Sequence, residues 1–123
     1  MTKTLMTVGA FTLLAALSVD ASAALRVKCE TRSDRSRASV DGSNLRSGLY
    51  SSMITSGPNT AQSPQEQTVG DEVEFDFDSN RRDIRQGATP IAKNFIVNNT
   101  VTGSLLDASG NVLESKTVSC RRN

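Results

Sequence analysis

The residues with the most chemical potential lie in one short stretch. Between Glu66 and Asp78 the chain carries six carboxylates and no basic residue. Glu72, Glu74, Asp76 and Asp78 recur at every second position, so a strand over this stretch places all four on one face. Three kinds of chemistry fit such a run. The first is calcium binding: Asp76, Asp78, Asn80 and Asp83 open like the loop of an EF-hand. The pattern then fails, because Arg81 stands where the turn glycine belongs and Gly87 where the bidentate glutamate belongs. The second is glycoside hydrolysis by a carboxylate pair. Asp76 and Asp78 on a strand would have Cα atoms about 7 Å apart, a separation such enzymes use. A sugar site also needs an aromatic-lined cleft, and Tyr50 is the single tyrosine in a chain with no tryptophan. The third is docking of a basic protein partner on the face formed by Glu72, Glu74, Asp76 and Asp78. Against all three stands a plainer reading, that the charges solvate an edge strand and keep it from pairing with other chains.

The rest of the composition narrows the choice. The 123 residues contain no histidine, which removes Ser-His-Asp and Cys-His catalysis and every His-ligated metal site. Net charge is only +1, so nothing draws the whole chain toward nucleic acid or an anionic membrane. That near-neutrality hides segregation: residues 24–65 carry net +3, residues 66–83 net −5 and residues 84–123 net +3. The basic cluster Arg32, Arg35 and Arg37 sits in a serine-flanked turn region, where it reads as a solvated loop or a contact for an acidic group. No aromatic residues interleave with it, so base stacking is not expected and nucleic acid is not an expected partner.

The first segment reads as a leader. Lys3 is followed by an uncharged apolar run from Leu5 to Val19, which closes on Ala21-Ser22-Ala23. This is the secretory pattern, with cleavage expected after Ala23. The run falls short of the roughly 20 residues that span a bilayer. Ala24, rather than a cysteine, follows the expected cleavage point, which argues against lipid attachment. The expected product is a 100-residue single domain over residues 24–123, periplasmic or secreted, without a membrane anchor. Its first strand starts at the cleavage point, which leaves no donor arm of the kind used by chaperone-assembled pilus subunits.

Export places Cys29 and Cys120 in an oxidising compartment, and two cysteines allow one pairing. A reactive pair would be closely spaced, whereas these lie 91 positions apart. A structural disulfide is expected.

The elements that must position these groups are strands. No window shows helical periodicity, while short alternating stretches are divided by Gly, Asn, Asp, Ser and Pro. Strands are expected at 25–32, 36–41, 49–55, 72–78, 91–97, 100–106 and 112–121, with a loop at 60–70 and one helical turn within 79–87. Val73, Phe75 and Phe77 alternate with the carboxylates and should face the core. Seven short strands in this length predict a small immunoglobulin-like sandwich, with a small β-barrel as the alternative. The function expected is a non-catalytic interaction module without a cofactor, contacting its partner through the acidic strand face or through the loops at one end. A calcium-stabilised structural protein is the alternative, and a carboxylate-dependent hydrolase a remote one.

Overall fold

The computed structural model describes residues 23–123. The leader expected over residues 1–23 lies, apart from Ala23, outside them. The described chain forms β1 (Ala24–Arg32), β2 (Arg35–Ser43), β3 (Leu49–Ser56), β4 (Asn59–Gln62), β5 (Glu66–Gln67) and β6 (Val73–Asp78). A short helix α1 (Arg81–Arg85) follows, then β7 (Thr89–Pro90), β8 (Thr100–Leu106), β9 (Val112–Ser119) and β10 (Arg121–Arg122).

Two sheets result. One runs β10-β1-β2-β6-β7; the other runs β4-β3-β8-β9, with β5 also paired to β3. The chain crosses between sheets after β2, before β6, between β7 and β8, and again between β9 and β10. This interleaving is the immunoglobulin-like connectivity expected, and the sheets do not close into the alternative barrel.

The core follows from strand alternation. Val27 pairs with Val40 and Val40 with Phe75; one step along, Cys29 pairs with Ala38 and Ala38 with Phe77. These side chains meet Ile54, Val101 and Leu105 of the second sheet. Gly103 on β8 packs directly against the first sheet. A Cβ there would lie 2.8 Å from Val27 Cγ2 and 3.0 Å from Val40 Cγ2, so no side chain fits.

Cys29 and Cys120 are bonded, joining β1 to the residue just past β9. Closing a loop of this length removes unfolded-state entropy worth about 4–5 kcal/mol in the chain-entropy model. At Cys120 the chain leaves the second sheet, and β10 continues in parallel on β1. The expected strand 112–121 is therefore two strands, broken at the disulfide.

Two segments differ from expectation. The loop expected over residues 60–70, which have no large apolar side chain before Val69, instead contains β4 and β5. Backbone pairing with β3 is sufficient at a sheet edge, and Gly57 at φ 55° makes the tight turn from β3 into β4. Conversely, the strand expected at 91–97 does not form. Side chains from distant elements capture its backbone instead: the Ser36 hydroxyl donates to Lys93 O (2.7 Å), the Asn59 amide donates to Phe95 O (2.7 Å), and Val97 N–H donates to Ser56 Oγ (2.7 Å). Asn98 and Asn99, both in left-handed backbone, then turn the chain into β8. The helical turn expected after β6 is α1, capped by the Asn80 side chain, which accepts from Arg82 N–H and Asp83 N–H.

Candidate functional site

The acidic strand β6 lies beside β2, and the register of the first sheet arranges its outer face in rows. Arg26, Asp41 and Glu74 form one row; Lys28, Ser39 and Asp76 the next; Glu30, Arg37 and Asp78 the third. In the first two rows basic residues stand on β1 and acidic ones on β6, while in the third Arg37 on β2 lies between Glu30 and Asp78; the face borders a concavity of about 690 Å³ that Val118, Ser119 and Arg121 also line.

The β6 carboxylates divide into two environments. Asp78 is buried. Arg35 grips it with both nitrogens of its fork, Nε to Oδ1 at 2.9 Å and Nη2 to Oδ2 at 2.6 Å, while Nη2 also reaches Asp83 Oδ2 at 2.9 Å. The Asn80 N–H donates to Asp78 Oδ1 at 3.0 Å, and Arg37 Nε stands 4.0 Å from Oδ2. Burial alone would push this carboxyl up; the Arg35 and Asn80 hydrogen bonds and the two guanidinium charges outweigh it and hold it below the ordinary carboxylate range.

Two residues earlier the situation reverses. Glu74 and Asp76 are exposed, and across the strands lies half-buried Asp41. Burial, then repulsion from Glu74 and Asp76, pushes the Asp41 carboxyl above its ordinary value, against the pull of Lys28 and Arg26. The three carboxylates repel one another without full neutralisation. Glu74 and Asp76 also line a smaller hollow of about 340 Å³ shared with Glu66 and Asp83.

This arrangement corrects the expected site residues. Of the face Glu72, Glu74, Asp76 and Asp78, only Glu74 and Asp76 lie exposed on β6. Glu72 precedes the strand in an isolated bridge with Val69, and Asp78 is committed to Arg35. Asp41 joins the patch instead. Its proximity depends on the β2–β6 register, a non-local pairing with no signal in either segment alone.

The calcium set Asp76, Asp78, Asn80 and Asp83 is likewise redistributed. The Arg35 guanidinium is the cation held by Asp78 and Asp83, and the Asn80 side-chain oxygen caps α1. Calcium requires several oxygens converging at 2.3–2.6 Å, and among the described residues no three Cys, Asp or Glu side chains gather closely enough to hold a metal ion. The Asp76–Asp78 pair stands in two different surroundings: Asp78 is buried and held low by Arg35 and Asn80, and Asp76 is exposed. The arginine cluster is a hairpin rather than a solvated loop. Ser33 and Asp34 make the turn, Arg35 serves Asp78, and Arg32 and Arg37 flank Glu30 at 3.3 and 3.9 Å.

Fold and face together define a small disulfide-linked β-sandwich with a charge-graded outer sheet. Compared with protein-family models, characterised proteins and solved structures, the chain matches none.

Proposed function

We propose that the protein is an exported, non-catalytic interaction module whose Asp41–Glu74–Asp76 patch receives a cationic side chain of a partner protein. One observation supports this reading above the others: Asp41 is forced upward by burial and by Glu74 and Asp76, so the patch holds negative charge that Lys28 and Arg26 only partly compensate. An arriving lysine or arginine relieves that repulsion and brings its own hydrogen-bond donors. Within the chain, Arg35 already does this for Asp78, and the patch is the same chemistry left open. The leader pattern and the disulfide support a periplasmic or secreted setting. No helix among the described residues is long and apolar enough to cross a membrane.

The test is fluorescence anisotropy with a labelled tetra-arginine peptide at low salt, alongside pull-down from a periplasmic extract. Glu74→Lys and Asp76→Lys should each weaken binding, whereas Asp34→Lys, which changes net charge equally at the distant hairpin turn, should not. Equal loss in all three variants, or in none, refutes the assignment to this patch.

A further inference from the structure

We propose that the free edge of β9 is a self-association surface and that its occupant is a second copy of this chain, paired antiparallel about Ser115. Among the described residues β9 is paired on one side only, to β8, and every residue from Val112 to Thr117 is exposed. The run includes Val112 and Leu113, at 54% and 44% exposure. An open edge of this kind is a template for another strand.

The register identifies which backbone groups are open. Cys120 N–H donates to Asn99 O at 2.8 Å. This makes Thr100–Ser119 a non-hydrogen-bonded pair, and alternation along the ladder makes Thr102–Thr117 and Ser104–Ser115 the same. Their facing hydroxyls, 2.7 Å apart in both pairs, show the close approach that such pairs have. Ser115 and Thr117 therefore direct their N–H and C=O groups to the free edge, while those of Glu114 and Lys116 are turned toward β8.

An antiparallel partner must set open groups against open groups, which leaves few two-fold registers. Centring on Glu114 places glutamate opposite glutamate, and centring on Lys116 places lysine opposite lysine. Centring on Thr117 leaves both charges without an opposite. Centring on Ser115 pairs Ser115 with its own copy in a hydrogen-bonded position and sets each Glu114 against the other copy's Lys116, in the closer, non-hydrogen-bonded position. Leu113 then lies beside the other copy's Thr117. The contact is isologous and closes on itself, so it consumes the edge rather than propagating. It is also short. Strand pairing over residues 113–117 is far less than the roughly 20–30 residues a side of a stable interface, so the dimer should be weak and concentration-dependent.

Sedimentation velocity of the purified, oxidised protein tests this from low micromolar to near-millimolar concentration. A reversible monomer–dimer equilibrium is expected. Glu114→Lys and Lys116→Glu should each weaken it about tenfold or more, because each converts two attractive pairs into two like-charge pairs. The double variant E114K/K116E restores opposite charges and should dimerise as the original chain does. Both positions are exposed, and thermal melts check that each of the three variants folds. A chain that stays monomeric throughout, single reversals without effect, or a double variant that fails to recover would overturn the proposal.

Discussion

Asp76 and Asp78 are two residues apart on one face of one strand, yet they occupy opposite electrostatic regimes. Asp78 is buried and satisfied by a bidentate arginine and a backbone N–H. Asp76 is exposed and stands with Glu74 and Asp41 in mutual repulsion. The difference arises across the strand rather than along it. The β2 register brings Arg37 and Arg35 beside Asp78, but Ser39 beside Asp76 and Asp41 beside Glu74. A carboxylate on this sheet is thus structural or available according to which β2 residue faces it.

The largest expected effect comes from breaking the satisfied end. Asp78→Ala leaves Arg35 half-buried without its main partner and should lower stability by about 3 kcal/mol. At this domain size that corresponds to a fall in Tm of about 10–20 °C. Asp76→Ala should stay within about 0.5 kcal/mol of the original chain. Equal melting temperatures for the two variants would remove the contrast. A cycle of R35M, D78L and the double variant should show coupling of more than about 1 kcal/mol, since both changes act on one pair.

Acid titration separates the same two regimes. Asp78 has a depressed folded pKa, so its stabilisation is complete above the ordinary carboxylate value of about 3.9 and is lost as pH falls through its lower folded value. Asp41 has a raised folded pKa, so the folded state holds the extra proton in the window above 3.9 or so, and stability should rise as pH falls from neutrality into that window. Asp41→Asn should abolish that rise and stabilise the chain at neutral pH by less than about 1 kcal/mol, a figure reduced for solvent screening. Melts across pH decide it, and a D41N curve parallel to the original would contradict the assignment.

The smallest effect sharpens the comparison further. Raising salt from 0.1 to 1 M shortens the screening length from about 10 to about 3 Å. The patch should gain a few tenths of a kcal/mol from weaker repulsion, and that gain should vanish in D41N. Chemical denaturation at the two salt levels measures it.

The part of this site that could be read from the chain is the part encoded by alternation. Val73, Phe75 and Phe77 against Glu74 and Asp76 set strand, core face and exposed face together. Cys29 and Cys120 also had only one possible partner each. Asp41 and Arg35 could not be assigned, because their roles depend on which β2 residue lies opposite which β6 residue, a matter of long-range register. The misread segments share that origin. Ile91 to Val97 has strand-like composition, but Ser36, Ser56 and Asn59, distant in sequence, take its backbone groups. Residues 59–62 lack strand-like side chains yet pair because β3 offers an edge.

The Cys29–Cys120 bond also has a mechanical consequence. A pull applied to the chain outside these two residues is carried across the molecule by one covalent link, with Cα atoms 4.7 Å apart. The tension first meets the pairs that lie outside the bond, Ala24–Lys28 on β2 and β10 on β1, and beyond them the bond carries it past the rest of the sheets. The segment enclosed by the bond, residues 30–119, contributes no extension under load until the bond is reduced. While oxidised, the domain acts under tension as a short inextensible connector, and its resistance to stretching is set by redox state rather than by strand pairing.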